Sequence, residues 1–381
     1  MKVYLDNAAT TPVAPEVVEA MMPYLTEHFG NPSSSHAFGR KTKTAIEQSR
    51  RTIARLLNCT PAEIYFTSGG TEADNLAMHA ALNDLGCTHI ITSPTEHSAV
   101  LKTAQQLAAR NKAALSMVQL DTNGSIDMQH LESLLASEAK SFVTLMHANN
   151  EVGNMIDLTA VSELCAKYGA VFHSDTVQTM GHYPMDLQKL SVQFLNASAH
   201  KFHGPKGTGF IYIDRTTRAN ATITGGGQER GLRGGTENLY GIVGMAKALE
   251  LCYTDMAEHE KHVSGLKQLM VEQLTERIPG ITFNGLSATA DSLYTVLSCT
   301  LPENANADTI LFLLDLEGVA CSGGSACSSG AAKGSHVLEA IGALRTGCAS
   351  VRFSFSRNTT IQEVEYAVNK LAELCSVPVD A

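Results

Sequence analysis

The chain has 381 residues, of which 44% are hydrophobic, and its 28 Lys and Arg residues against 38 Asp and Glu residues give a net charge of −10. This length and apolar content allow a large buried core, which excludes a disordered protein and favours one large domain with a smaller one. The acidic balance and the lack of a basic run give no support to nucleic-acid binding.

Membrane and disulfide-rich classes are also disfavoured. No apolar stretch approaches the ~20 residues needed to cross a bilayer, and residues 1–6 lack the apolar core of a signal peptide, so we expect a cytoplasmic protein without a membrane partner. The nine cysteines are scattered and form no Cys-x-x-Cys pair. This pattern favours reduced thiols and gives no support to a zinc site.

Short apolar runs alternate with helical patterns through the first two thirds of the chain. The runs are residues 63–67, 89–92, 142–146 and 170–172, and a helix is expected from Glu72. This alternation predicts an α/β fold with a mostly parallel sheet flanked by helices. After about Tyr240 a long helical stretch, 242–277, leads into mixed strands and helices. We expect a large domain at 15–255 and a smaller α+β domain built from 1–14 and 256–381.

Lys201 has the surroundings of a lysine that reacts with an aldehyde. It lies between the strand-like runs 192–195 and 210–213, so its amine should be partly desolvated, and His200 adds positive charge when protonated. Both effects favour the neutral amine, the form that condenses with an aldehyde. A lysine taken alone is more often a solvated surface residue, so this prediction depends on the neighbouring motifs.

Asp175 is the predicted acidic partner. It follows the apolar run 170–172 and should lie at the carboxyl end of a buried parallel strand, where open α/β sheets bind ligands. An ionised carboxylate there keeps a pyridine nitrogen protonated, which makes the ring an electron sink. This is what a protein contributes to pyridoxal phosphate chemistry.

A phosphate site is predicted where a strand meets a helix at Ser68-Gly69-Gly70-Thr71-Glu72. Glycines allow close backbone approach, and the free N–H groups and the Thr71 hydroxyl can face an anion. The segment is neither a Walker A loop nor a dinucleotide fingerprint, and an ordinary capped turn is an equal alternative. Ser198 and His200 would add phosphate donors.

Other polar residues end predicted strands or lie close behind them. His97 could stack on a flat cofactor and relay protons, although a lone histidine is more often structural. Asn149 and Gln178 could hydrogen-bond a ring hydroxyl or a substrate carboxylate, or could be turn residues. Arg352 alternates with apolar neighbours in the strand-like segment 349–355 and could offer a bidentate fork to a carboxylate; a solvent-facing charge is the alternative.

Two segments are too rich in small residues for regular structure. The first, 225–238, is glycine-rich, and a flexible linker is the alternative reading. The second, 322–332, surrounds Cys327 with small residues, so its thiol could reach into a site and withdraw. A cysteine is more often a small core residue. Cys321 could compete with Cys327, but it closes an apolar run and is expected to be packed.

Segments throughout the chain resemble one known family. They are residues 4–11, 30–34, 68–72, 95–97, 147–151, 198–201 and 324–329. In this order and spacing they resemble the cysteine desulfurases of the NifS/IscS type within the class V aminotransferases. The resemblance implies a fold-type I enzyme with a mostly parallel seven-stranded sheet, pyridoxal 5′-phosphate as cofactor, a homodimer, and conversion of L-cysteine to L-alanine with a persulfide on its own cysteine. The sulfur would supply iron–sulfur cluster assembly through a scaffold or other acceptor protein.

The resemblance also implies residue roles. Lys201 would hold the cofactor and move the Cα proton, His97 would stack on its ring and act in acid–base steps, Asp175 would pair with the pyridine nitrogen, and Gln178 would contact the ring hydroxyl. The implied phosphate ligands are Gly70, Thr71, Ser198, His200 and, from the partner subunit, Thr236. Asn149 and Arg352 would receive the substrate carboxylate.

Cys327, in the loop at about 321–335, would be the nucleophile. No resident metal ion is expected, although Cys327 could ligate an iron–sulfur cluster transiently. A related aminotransferase or selenocysteine lyase is an alternative, as is a sulfur carrier without turnover. The set Thr71, His97, Asp175 and Lys201 argues against the carrier.

Overall fold

The computed structural model describes residues 1–137, 139–304, 306–323 and 334–376. Cys327 lies outside these residues. The strands are β1 (Val3–Tyr4), β2 (Ile64–Thr67), β3 (His89–Thr92), β4 (Ala114–Met117), β5 (Ser141–Thr144), β6 (Val171–Ser174), β7 (Phe194–Ser198), β8 (Gly209–Ile213), β9 (Thr282–Phe283), β10 (Val296–Thr300), β11 (Val319–Ala320) and β12 (Ser350–Ser354). The α-helices are α1 (Pro15–Thr26), α2 (Ala37–Leu56), α3 (Gly70–His79), α4 (Ser98–Asn111), α5 (Met128–Leu135), α6 (Leu158–Lys167), α7 (Leu239–Thr254), α8 (Met256–Arg277), α9 (Ile310–Leu316), α10 (His336–Ala340) and α11 (Ile361–Cys375).

The central sheet has seven strands in the order β2-β8-β7-β6-β5-β3-β4. All neighbours are parallel except at β8, which runs antiparallel to both β2 and β7. β2 therefore points the same way as β7, and the carboxyl ends of six strands meet at one edge. The predicted α/β fold with a mostly parallel seven-stranded sheet is confirmed.

Two apolar cores, built from different sets of strand and helix residues, hold this sheet in place. One contains Ile53, Phe172, Phe210 and Leu249, and the other contains Leu76, Leu107, Phe142 and Ile213. The central strands are buried along their whole length, as a sheet covered on both faces requires. The expected single helical stretch 242–277 is two helices, α7 and α8, because the backbone leaves the helical conformation at Asp255.

A third core lies in the C-terminal part of the chain. The antiparallel sheet β12-β10-β9 and the parallel pair β1-β11 contribute to a cluster that includes Leu5, Leu274, Phe353 and Val368. The N-terminal arm thus packs with residues some 260 to 370 positions further along the chain. We retain as a proposal the division into a large domain at 15–255 and a small domain of 1–14 with 256–381.

Thiols and metal ligands give no site of their own within the described ranges. Each described cysteine is free, and no group of three or more His, Cys, Asp or Glu side chains is arranged to hold a metal ion there. Across the same part of the chain, no helix combines the length and the apolar character that spanning a bilayer requires.

Candidate active site

A cavity of about 270 Å³ lies where the strands of the central sheet end. Asp175 follows β6, Ser198 ends β7, and Gly70 opens the helix after β2. The residues that line the cavity are Ala8, Ala9, Gly70, Thr71, Asp74, His97, Ser98, Met146, Ala148, Asn150, Glu151, Asp175, Val177, Gln178, Ser198, His200, Lys201, His336 and Arg352. Nine of the predicted site residues are in this set.

One end of the cavity is built to receive an anion. Gly69 precedes α3 with φ 153° and ψ −175°, and no side chain caps the helix, so its first N–H groups are available to a ligand. A Cβ at Gly70 would lie 2.6 Å from Val177 Cγ2, which explains glycine there. Ser198 and His200 line the same cavity.

His200 differs from the expectation in its charge. Burial, together with the charges of Lys201 and Lys206, lowers the pKa of His200 to about 4. The imidazole is therefore neutral at neutral pH and can act as a hydrogen-bond donor or acceptor, with Nδ1 3.2 Å from Thr10 Oγ1. It does not supply the positive charge that the sequence suggested beside Lys201.

Lys201 lies on a short 3₁₀ turn, Ala199–Lys201, directly after β7. Its Nζ donates hydrogen bonds to the carbonyl oxygens of Ala8 and, at 3.0 Å, Ala9. Gln178 Nε2 donates to the same Ala8 oxygen at 3.1 Å. The N-terminal arm therefore holds the lysine amine at the cavity.

Asp175 lies at the carboxyl end of its strand, as predicted, and is almost fully buried. Burial raises the pKa of Asp175, while the Val177 N–H, which donates to Oδ1 at 2.9 Å, and the charges of His97 and Lys201 lower it. A cation brought against this carboxyl would favour its ionised form. A protonated pyridine nitrogen is such a cation.

His97 is the N-cap of α4, and its Nδ1 accepts the Ala99 N–H at 3.2 Å. This contact orients the ring and leaves Nε2 as the nitrogen that can exchange a proton. Burial lowers the pKa of His97, and the charges of Lys201 and His336 act in the same direction. The charges of Asp175 and Glu151 raise this pKa and so oppose the shift. His97 is thus favoured in its neutral form.

Three predicted residues are not found at the cavity. Asn149 is buried, with Nδ2 donating to Thr95 O at 2.8 Å and Oδ1 accepting from the N–H of Glu151 at 2.8 Å. Its amide is therefore already hydrogen-bonded within the protein, whereas the prediction required an amide open to a substrate carboxylate. Thr236 is exposed and does not line the cavity of its own chain. Cys327 lies outside the described residues.

Several cavity residues escaped the sequence reasoning. Asp74 is fully buried, and burial together with Asp175 raises its pKa well above the ordinary range; its position one turn after Gly70 on α3 was the available signal. Glu151 accepts a hydrogen bond from Ser335, and His336 Nε2 donates to Glu96 O at 2.9 Å. Nothing in the local sequence marks these two contacts between distant segments.

The arrangement defines an enzyme that binds a phosphorylated aldehyde cofactor. A lysine amine, a buried carboxyl, a fixed histidine and an uncapped helix terminus with glycines share one cavity, and these residues fit pyridoxal 5′-phosphate. Lys201 would hold it, Asp175 would face its ring nitrogen, His97 would lie on the ring, and α3 would bind its phosphate. When bound, the cofactor supplies an electron sink for negative charge at the substrate Cα.

Comparison with known proteins gives the same class. A family model described as aminotransferase class-V matches residues 3–367. A cysteine desulfurase IscS of Dictyoglomus turgidum is 41% identical over 384 residues, covering 98% of this chain and 94% of the relative. A solved structure of a NifS-like protein has a TM-score of 0.90 at 36% identity and covers 99% of this chain and 100% of its own.

A second solved structure, described as SspA in complex with cysteine, has a TM-score of 0.80 at 30% identity over 94% of this chain and 100% of its own. The chain belongs to the class-V aminotransferase family. It is a pyridoxal 5′-phosphate enzyme.

Proposed function

We propose that the protein is a cysteine desulfurase, a transferase that takes sulfur from L-cysteine. L-cysteine and the Cys327 thiol give L-alanine and a persulfide on Cys327, so that one C–S bond breaks and one S–S bond forms. The observation that carries this proposal is the single cavity shared by Lys201, His97, Asp175 and the α3 terminus. The name of the Dictyoglomus relative and the cysteine complex of SspA support the substrate.

Each side chain has a proposed task that follows from its position. Lys201 Nζ, next to the Ala8 and Ala9 carbonyls, holds the cofactor and later moves the substrate Cα proton. His97 Nε2 exchanges protons with the substrate, and neutral His97 can accept one. Asp175 stays ionised against the ring nitrogen. Arg352 binds the substrate carboxylate, and Gln178 contacts the ring hydroxyl.

The phosphate would be bound by Gly70, Thr71, Ser198 and His200, all of which line the cavity. Thr236 is proposed to complete this site in the partner subunit of a homodimer, because it is exposed and lies outside the cavity of its own chain. Val18, Met22 and Leu25 expose an apolar face of α1, which a second copy could cover.

The product sulfur is proposed to leave through an acceptor protein, with iron–sulfur cluster assembly as its destination and the cytoplasm as the location. Cys321 is a poor alternative nucleophile, because burial raises its pKa to about 12 and a thiol of that pKa has almost no thiolate at neutral pH. Cys327, in the small-residue segment 322–332, is the proposed sulfur acceptor within the chain.

The test is product formation from L-cysteine in the presence of a thiol reductant, followed together with the visible absorbance of the cofactor. We expect equal amounts of sulfide and alanine from the wild type. Lys201→Ala should lose both products and the yellow colour, whereas Lys189→Ala, whose side chain is 81% exposed, should keep them. A coloured wild type that makes neither product would contradict the substrate, and transamination of L-cysteine without sulfide would favour an aminotransferase.

A further inference from the structure

Arg352 is bound on two sides by the protein and is left with open hydrogen-bonding capacity. It is 2% exposed and lines the cavity. Nη1 donates to the Asn150 carbonyl at 2.7 Å, and Nη2 donates to Asp6 Oδ1 at 2.9 Å. Among the residues that the structure describes, none accepts a hydrogen bond from the buried Nε–H.

A buried N–H without a partner costs stability, so the described residues do not fully satisfy the guanidinium. The remaining N–H groups of a guanidinium match the two oxygens of a carboxylate, because the fork is planar and rigid. The orientation of that fork is set by the groups that already bind it. Those groups are the Asp6 carboxylate and the Asn150 carbonyl.

Asp6 is itself held firmly against the strand that carries Arg352. The arm pairs with β12 at Asp6 and Ser354, and the Ser354 N–H donates to Leu5 O at 2.7 Å. Two residues further along the arm, Ala8 O accepts from Lys201 Nζ. One short segment therefore fixes both the amine that holds the cofactor and the guanidinium, which fixes the spacing between them.

We propose that Asp6 is a positioning residue for amino acid recognition: it orients Arg352 so that the guanidinium meets the α-carboxylate of the substrate. This inference rests on the proposed function, because it assigns an amino acid to the cavity. It adds to that function a residue of the N-terminal arm that touches neither the reacting atoms nor the cofactor.

A competing effect has the opposite sign and makes the inference testable. Asp6 is a negative charge close to where a ligand carboxylate would lie, and like charges repel. If repulsion dominated, removal of Asp6 would tighten the binding of carboxylate ligands. If orientation dominates, removal weakens their binding, because Arg352 loses the contact that fixes its fork.

The experiment compares two ligands of nearly the same shape by calorimetric titration of the cofactor-loaded protein. L-alanine carries the α-carboxylate, and L-alaninamide replaces it with a neutral amide. We expect Asp6→Ala to raise the Kd of L-alanine about tenfold, the loss of roughly one charge-assisted contact, and to leave the Kd of L-alaninamide unchanged. The KM of L-cysteine should rise with little change in kcat.

Asp6→Asn provides the conservative rescue, because its amide oxygen can still accept from Arg352 Nη2. Its Kd for L-alanine should stay within about threefold of the wild type. Glu132→Ala is the matched control, since it removes a carboxylate that pairs with Lys167 at 2.6 Å away from the cavity. It should leave both ligands unaffected.

Three results would overturn the inference: tighter binding of L-alanine by Asp6→Ala, equal weakening of both ligands, or no change in either. The visible absorbance of the cofactor shows in each case that Lys201 is loaded. The two proposals can fail separately. If the wild type makes no alanine from L-cysteine, and Asp6→Ala still loses the preference for L-alanine over L-alaninamide, the proposed function is contradicted and this inference stands.

Discussion

His97 and Asp175 show how burial changes the ionisation of groups in the cavity. Burial lowers the pKa of His97 and raises that of Asp175, so both shifts favour the neutral forms. A protonated ring nitrogen of the cofactor would supply the opposite charge that keeps Asp175 ionised. Neutral His97 beside it remains able to take a proton, which the proposed acid–base steps require.

Arg50 and Glu229 form a buried bidentate pair that anchors the glycine-rich segment. The two Nη–Oε distances are 2.8 and 2.7 Å, and the Phe66 N–H donates to Glu229 Oε2 at 2.8 Å. Glu229 and Arg230 both have positive φ, at 44° and 56°. The pair therefore stabilises a strained turn a few residues before Thr236.

Arg50→Met should be strongly destabilising, because it leaves the Glu229 carboxylate buried without its cation. We expect a loss of about 3–5 kcal/mol in the free energy of unfolding, measured by urea titration. Arg55→Met is the control on the same helix. The ion pair between Arg55 and Glu250 is solvent-exposed, with an N–O distance of 3.7 Å, and should contribute at most about 1 kcal/mol to the free energy of unfolding. Equal losses in the two variants would contradict this view of the buried pair.

At the scale of elements, the start of α3 is the part of the cavity with the least room for change. A side chain at Gly70 would meet Val177, in the turn after Asp175, at 2.6 Å. The helix terminus and the carboxyl are thus packed directly together. A shift of one displaces the other.

Gly70→Ala should therefore weaken cofactor binding, because the added methyl group pushes the phosphate-binding turn away from Val177. We expect about a tenfold or larger rise in the dissociation constant of pyridoxal 5′-phosphate, measured by absorbance titration of the apoprotein. Gly265→Ala is the control: its Cβ would enter open space on α8. It should bind cofactor normally and gain about 0.5–1 kcal/mol of stability; normal binding by Gly70→Ala would refute the packing argument.

The sequence predicted those elements whose signal is local. The runs before Gly70 and Asp175 are apolar enough to be recognised as β2 and β6, and glycines and polar residues mark where they end. The break between α7 and α8 carries no proline or glycine, so the helical pattern at 242–277 concealed it. Asp255 is the N-cap residue of α8, a position that aspartate favours.

The sequence predicted the parts of the cavity that side chains form, but not the parts that main-chain atoms form. Lys201, Asp175 and His97 follow strands, where parallel topology brings them together. The contribution of Ala8 and Ala9 is made by main-chain carbonyls, which every residue carries, so their identity gives no signal. Asn149 was misleading because an asparagine after a strand serves equally well to hydrogen-bond its own turn.

At the scale of the whole molecule, buried histidines link segments that are far apart in the chain. Tyr294 OH lies 3.2 Å from His182 Nδ1 and 3.4 Å from His259 Nδ1. Burial lowers the pKa of His182 to about 4 and that of His259 to about 3. Both rings are neutral at neutral pH.

This contact should make the fold sensitive to acid. Below the unfolded pKa of about 6.5, the unfolded chain binds a proton at His259 and the folded chain does not, so stability is lost as pH falls. Relative to His259→Asn, the wild type should lose up to about 1.4 kcal/mol per pH unit between about pH 6 and pH 4. Urea unfolding of both proteins across this range measures the difference, and a pH-independent difference would show that His259 is not buried as a neutral ring.

The central claim is that sulfur from L-cysteine is transferred to Cys327 by the chemistry of the Lys201 cavity. The most direct test is mass spectrometry of the Cys327 peptide after addition of L-cysteine without reductant, with alanine measured in the same sample. The account predicts one added sulfur atom on Cys327 in the wild type. It also predicts that Cys327→Ala binds the cofactor but neither turns over L-cysteine to alanine nor releases sulfide. Full alanine and sulfide production by Cys327→Ala would contradict it.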